Sequence, residues 1–350
     1  MTAIAIIPRK RLRFHRNPSE ETLMSTTVLT RSITAFGLGL ALAIGGGAAG
    51  AQTYPTKDIQ FIVPMAPGGG VDTVSRTVAQ MLAERVGQPI IVENRPGAGG
   101  LIAAGYVARA NPDGYTVFVA DSGQLSVNPT LYKDLPYDRS KPFVPITEAV
   151  STPLFLAVNA DLPIHSVPEF LEYARAHPGM PYGSVGVGSV HHLGMQMLVT
   201  QAGLDMVHVP YKGSSQTTTA LIGGEVGVIL SALPSLKGHI ESGRVRVIGV
   251  ATPERTELMP DLPTIAEGGL PGYNALVNIG FVLPPETSGE IAQFLHQEIK
   301  GLLEQPEFQQ RLKTMGLIPL ASSPQEYAAK IAADTAKYKQ VIESANIASN

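Results

Sequence analysis

Apolar positions along this chain follow two alternating rhythms, short near-continuous runs and longer stretches with a helical period. The run IQFIVP at 59–64 predicts a buried parallel strand that ends at the turn 66–70. Asp72 precedes a stretch with Val74, Val78, Met81 and Leu82 on one helical face, which predicts a helix with Asp72 as its N-cap and Gly87 just past its end. A second strand, 90–93, runs into the loop NRPGAGG (94–100) and a small-residue helix through Ala110. The turn Asn111-Pro112-Asp113-Gly114 leads into a third strand, YTVFVA at 115–120. This β-α-β-α-β order predicts an α/β sheet with right-handed crossovers.

The same grammar restarts after Ser151. It predicts strands at 154–158, from 181, at 206–210, 226–230 and 245–251, and helices at 166–176, 190–202 and 215–222. Past 255 the text becomes a Pro/Gly-rich crossing, followed by a strand at 279–283. Three helices close the chain, one aligning Ile291, Leu295, Ile299 and Leu302, one near Phe308–Met315, and one aligning Tyr327, Ile331, Tyr338 and Ile342. A tail of this kind packs back onto an earlier domain. The expected architecture is two α/β lobes, 52–150 plus 256–350 and 151–255, with two hinge crossings that create a cleft.

Residues 1–51 change the picture. They hold Arg9, Lys10, Arg11, Arg13, Arg16 and Arg31 against Glu20 and Glu21, followed by ITAFGLGLALAI at 33–44 and a small-residue run. Ala49 and Ala51 stand at the −3 and −1 positions of an A-x-A cleavage signal before Gln52. This layout predicts a secretory signal peptide, and its apolar run is too short to span a hydrocarbon core of ~30 Å. Met24 is an alternative start, and the absence of an Arg pair favours Sec export. The exported remainder would be periplasmic, with no stable membrane insertion after cleavage. Of the 26 basic and 29 acidic residues in the chain, 20 and 27 fall in 52–350, which is therefore acidic and offers nothing to nucleic acid. The lack of Cys removes disulfides, thiolate metal sites and cysteine nucleophiles. Gly (36) and Pro (28) are abundant, but 44% hydrophobic content marks a packed, loop-rich protein rather than a disordered one.

Candidate chemistry gathers where strands feed helices. Three places qualify: Pro67-Gly68-Gly69-Gly70 before Asp72, Asp121-Ser122-Gly123, and the loop 183–189 containing Ser184, Gly186, Gly188 and Ser189. Glycine lets backbone amides approach a ligand, and a helix N-terminus presents unpaired N–H groups carrying about half a positive charge. Two such termini facing each other across a cleft would clamp a carboxylate without Arg or Lys. The alternative reading of each loop is an ordinary glycine turn. No G-x-G-x-x-G, Walker A or G-x-S-x-G pattern is present. His191 and His192 are adjacent, so they point about 100° apart on a helix, and at least one is expected to be structural or cleft-lining rather than a metal ligand. Neither a metal nor a cofactor is expected.

Six ordered motifs carry a family resemblance: FIVPMAPGGGVDTVSR, ENRPGAGG, NPDGYT, YGSVGVGSVHHLG, HVPYKGSS and LPTIAEGGLPGY. Together they resemble the Bug-type extracytoplasmic solute-binding proteins of tripartite tricarboxylate transporters, and they span essentially all of 52–350. The resemblance implies a type II periplasmic-binding-protein fold, a small carboxylate ligand, delivery to membrane permease subunits, and no catalysis; a monomer is expected. It also implies ligand contacts from 68–72 and 184–189, with His192 matching the family's His. Three positions depart from the family pattern: Gly227 and Ser231 where Asp, or Asp or Asn, is usual, and Gln196 where Glu is common. Any of these that faces the cleft would give a less repulsive pocket for an anion or an altered specificity.

Two rivals use the same residues differently. An exported hydrolase would pair Ser184 or Ser189 with His192 and an Asp, which requires a nucleophile and base within hydrogen-bond reach. A ligand-sensing partner of a membrane receptor would need only the closing cleft.

Overall fold

The computed structural model describes residues 54–68 and 70–347; the expected export segment 1–51 and Gly69 lie outside them. Strand β1 (Ile59–Val63) leads to helix α1 (Gly70–Val86), β2 (Ile90–Asn94), α2 (Leu101–Ala108) and β3 (Thr116–Asp121). Both β2 and β3 pair with β1 in parallel, so the opening β-α-β-α-β unit forms as its alternation predicts. Apolar residues cover both faces of this sheet. Phe61 and Val63 pack towards α1, while Ile62 and Phe118 pack against Ala103, Ala104 and Val107 of α2. That two-sided burial is why these strands read as near-continuous apolar runs.

A π-helical turn (Gly123–Val127) and the short helix α3 (Asn128–Leu131) follow β3. Strand β4 (Val144–Asn159) is the long element of the fold, 16 residues in one strand. Its first ten residues pair antiparallel with β9 (Leu276–Leu283), and Leu154–Asn159 pair with β7 (Val228–Ala232) and β8 (Val245–Val250). One strand thus belongs to both halves of a sheet ordered β2-β1-β3-β9-β4-β7-β5-β6. Only 154–158 of β4 was legible as a strand, because Pro145, Thr147, Glu148, Ser151 and Pro153 break the apolar run of its first part. Register shifts near Pro145 and Glu148 accommodate that irregular stretch.

The second half repeats the α/β grammar with α4 (Val167–Ala176), β5 (Met180–Ser184), α5 (Val190–Ala202), β6 (Met206–Pro210) and α6 (Ser214–Ile222). Two differences from the sequence reading stand out. The strand expected at 226–230 runs from Val228 to Ala232, two residues later. A helix at Leu233–Glu241, α7, was not foreseen; only Leu236 in it is buried, too little for a helical stripe to show. The closing helices are α8 (Gly289–Leu303), α9 (Pro306–Thr314) and α10 (Pro324–Ser344), with a two-residue strand β10 (Ile318–Pro319) on β4. Helix α10 opens with a capping box, in which Ser323 and Glu326 satisfy each other's amides. Its Tyr327 packs with the core around α2 and β3, and its Tyr338 and Ile342 pack with the core around α4 and α5.

Candidate functional site

Four loops leave the carboxyl ends of β1, β2, β3 and β5, and side-chain contacts join them into one rim. Asn94 Nδ2 donates to Met65 O (3.0 Å) and to Asp72 Oδ1 (2.8 Å), tying the end of β2 to the β1 loop. Asn128 Nδ2 donates to Gly99 O (3.0 Å), tying α3 to the β2 loop. Leu131 of α3 lies against Gly188, where a Cβ would collide with Leu131 Cδ2. The β5 loop of one half therefore abuts α3, which follows β3 of the other half.

The β5 loop is the most completely tied. Ser184, 0% exposed, ends β5, and its Oγ accepts the Gly186 amide (3.1 Å). Ser189 is the N-cap of α5: its Oγ accepts the His192 amide (3.2 Å) and donates to Gly186 O (2.7 Å). The Gly188 amide donates to His192 Nδ1 (3.1 Å). Gly186 (φ 133°) and Gly188 (φ 76°) both adopt backbone angles that L side chains resist. With His192 N–H capped, the amides of Val190 and His191 are the first-turn donors left without an intrahelical acceptor, at the positive end of the helix dipole.

A ring stack lies behind the loop. His208, from β6, places Nε2 2.7 Å from Ser184 Oγ. Its ring lies 3.7 Å from that of His192 and 5.2 Å from that of Tyr182, nearly parallel to both. Burial pushes His192 down to about 3 and His208 down to about 4, and the neighbouring His208 lowers His192 further. Because His192 Nδ1 accepts the Gly188 amide, its proton sits on Nε2 and the ring is neutral.

The β1 loop is organised differently from its expected form. Asp72 is not the N-cap: α1 begins at Gly70, and Asp72 sits buried inside its first turn. Its carboxylate reaches back to the Gly68 amide (2.9 Å) and sideways to Arg76 Nε and a terminal guanidinium nitrogen (3.0 and 2.9 Å). Burial raises its pKa, but the hydrogen bonds from Arg76, Gly68 and Asn94 outweigh that and hold it below the ordinary carboxylate value. The Gly68 amide is thus already occupied by an internal anion. Pro67 and Gly68 are exposed, and Gly70 opens the helix. Ser122 is buried, and its Oγ accepts the Asn278 amide of β9 (3.2 Å).

The three departures separate clearly. Gly227 lies at the amino end of β7, away from the rim, donating to Pro181 O (2.9 Å). Gln196 sits further along α5, where its Oε1 accepts from Tyr182 Oη (3.2 Å) behind the ring stack. Ser231 is near the carboxyl end of β7, 1% exposed, with a buried hydroxyl lacking a partner.

Sequence reasoning missed Arg76, Asn94, Leu131 and His208. The Asp72/Arg76 spacing of four residues was a readable signal. His208 meets Tyr182 only through the parallel register of β5 and β6, which no local pattern encodes. The hydrolase pairing expected of His192 does not form; the ring within reach of Ser184 belongs to His208. A surface cavity of about 520 Å³ lined by Lys57, Gln60, Tyr106, Arg109 and Tyr115 lies at the amino ends of β1 and β3, the opposite end of these strands from the rim. Among the described residues no helix is long and apolar enough to cross a membrane.

Residues 74–347 match the profile of the tripartite tricarboxylate transporter family receptor. The protein BugT of Bordetella pertussis is 30% identical over 316 residues, covering 90% of this chain and 97% of BugT. The solved periplasmic binding protein BugD is 30% identical with a TM-score of 0.74, covering 85% of this chain and 100% of BugD. Rpa4515 of R. palustris, solved with adipate, is 33% identical with a TM-score of 0.77, over 84% of this chain and 99% of that one. MatC of Rhodopseudomonas palustris, solved with bound malate, is 29% identical with a TM-score of 0.72, over 83% of this chain and 100% of that one.

Proposed function

The chain belongs to the tripartite tricarboxylate transporter receptor family, and from that premise we propose that it captures a small dicarboxylate in the periplasm and hands it to the permease subunits of such a transporter. The β5 loop carries this reading. Its side-chain polar groups are consumed in holding the loop, so the first-turn amides of α5 are left to receive an anion at the end of a 13-residue helix. Malate and adipate, bound by the two Rhodopseudomonas relatives, are both dicarboxylates, which supports this ligand class.

In this proposal the chain is exported with 1–51 removed, works as a monomer, and closes lobes made of 52–150 plus 256–350 and 151–255 on the ligand. The proposed site is built from Pro67, Gly68, Gly69, Gly70, Asp72, Ser122, Ser184, Gly186, Gly188, Ser189 and His192, with the buried Asp72, Ser122, Ser184 and His192 acting through the loops and strands they hold rather than by facing the ligand. Nothing is turned over. The contact between Ser184 and His208 is the one observation that favours the hydrolase rival, but a serine with 0% exposure offers no path for a substrate carbonyl.

The test is a thermal-shift screen of mono- and dicarboxylates followed by calorimetry. A ligand that binds only the folded state stabilises it by ~2.7 kcal/mol at a hundredfold excess over Kd. At least one dicarboxylate should shift the melting temperature and be recovered unchanged. Turnover of that compound, or no shift with any carboxylate, overturns the reading.

A further inference from the structure

We propose that His208 is a positioning residue for ligand binding: its ring nitrogen holds Ser184 Oγ, and through it the Gly186–Gly188 backbone, in the shape that presents the α5 amides. The role rests on the carboxylate reading of this loop.

The contacts form a short chain of dependence. His208 Nε2 lies 2.7 Å from Ser184 Oγ, and that same oxygen accepts the Gly186 amide at 3.1 Å. Gly186 O in turn accepts Ser189 Oγ at 2.7 Å, and Ser189 caps α5 through the His192 amide at 3.2 Å. Gly186 at φ 133° lies outside regular secondary structure, so its conformation is held by these side-chain bonds together with the Ser189 amide, which donates to Gly186 O (3.2 Å). Ser184 has no exposure, and without the ring nitrogen its hydroxyl would be left with only Gly186, whose amide it accepts and whose carbonyl it can donate to (both 3.1 Å), so its one anchor outside the loop would be gone. His208 comes from a different strand than the loop it braces, so it supplies an anchor the loop cannot supply itself.

The ring of His208 also stacks on His192 and Tyr182, and the two roles can be separated. His208→Phe keeps a stacking ring and removes the nitrogen. His208→Gln loses the ring but keeps a polar group at the reach of Nε2. If the nitrogen matters, His208→Phe weakens adipate and malate binding about tenfold or more, the worth of one buried hydrogen bond. His208→Gln then stays within about threefold of the parent. Hydrogen exchange across 184–192, measured without ligand, should accelerate in His208→Phe and remain near the parent rate in His208→Gln. Ser184→Ala reads the same contact from the other side without touching the stack, and should reproduce the faster exchange even where His208→Phe does not fold. The double variant should bind no more weakly than the worse single one.

The proposal is overturned if His208→Gln is as impaired as His208→Phe, or if Ser184→Ala leaves exchange at 184–192 unchanged. A parent protein that binds no carboxylate removes the functional reading above, and the exchange rates still decide whether His208 braces the loop.

Discussion

The rings of His192 and His208 lie 3.7 Å apart and within 13° of parallel, so a proton on either would face its neighbour across a van der Waals gap. Both pKa values are depressed, chiefly by burial, to about 3 and about 4. The unfolded chain, with imidazoles near 6.5, binds more protons than the folded one. Stability from this pair is therefore fully present above pH ~6.5 and is lost as pH falls towards 4.

Replacing one ring isolates that contribution from other titrating groups. His208→Phe should lose less stability than the parent between pH 6.5 and 4.5, by about 1–2 kcal/mol after allowance for solvent screening of the half-buried ring. Urea unfolding at both pH values measures the difference. Parallel losses in the two proteins would mean that His208 titrates normally.

Glu148 works in the opposite direction. It lies 6% exposed in β4, and burial pushes it up to about 7, with Lys330 lowering it and Asp334 raising it. Its folded-state pKa exceeds the unfolded value, so its contribution is present below pH ~4.5 and lost as pH rises through 7. Glu148→Gln keeps the shape of the neutral acid and removes the ionisation. The variant should match the parent at pH 4.5 and exceed it at pH 8 by about 1–3 kcal/mol. Identical stability curves would show that Glu148 finds compensation from the nearby lysines.

Which parts of this were legible in the sequence follows from how far each interaction reaches along the chain. The β1-α1-β2-α2-β3 unit and helix α5 were readable because their apolar periods, terminal glycines and caps lie within a few residues of one another. Ser189 as a helix cap and the loop 184–189 as a shaped turn belong to the same class. Strand β4 was half hidden, since its polar first part is ordered by β9, more than 100 residues later. Asp72 was misread as a cap because its preference for that position competes with Arg76 and Asn94, which draw it into the first turn. The brace from His208 depends on strand register, and Leu131 reaches Gly188 only once the two halves meet.

That Leu131 contact makes Gly188 a sensitive position. Gly188→Ala would place a Cβ into Leu131 and force an L residue to φ 76°. The left-handed conformation alone costs about 1–2 kcal/mol, and displacement of the buried Leu131 side chain adds to it. Gly203→Ala is the control, because its φ of 61° carries the backbone cost with nothing within 4 Å of the added Cβ. Gly188→Ala should be the less stable of the two in chemical unfolding, and it should also weaken dicarboxylate binding, which Gly203→Ala should not. Equal effects on both readouts would mean that the Leu131 contact is slack.

The Ser189 hydroxyl looks from sequence like a direct ligand contact. In the structure that hydroxyl accepts the His192 amide and donates to Gly186 O, so both of its roles are spent inside the loop. Loss of the hydroxyl should then act first on the helix. Ser189→Ala should destabilise the protein by about 0.5–2 kcal/mol as a lost N-cap, while Ser189→Gly, a tolerated cap, costs only a few tenths. A ligand that bonded the hydroxyl directly would weaken equally with Ala and Gly, since both remove the same group. A ligand that uses the α5 amides would instead follow the cap, with Ser189→Ala binding more weakly than Ser189→Gly. Lys237→Ala, exposed on α7, should leave both stability and affinity unchanged. Calorimetric titration of the three variants with malate or adipate separates the cases. Equal weakening by Ala and Gly with little change in stability would return Ser189 to the ligand and take the amides out of first place.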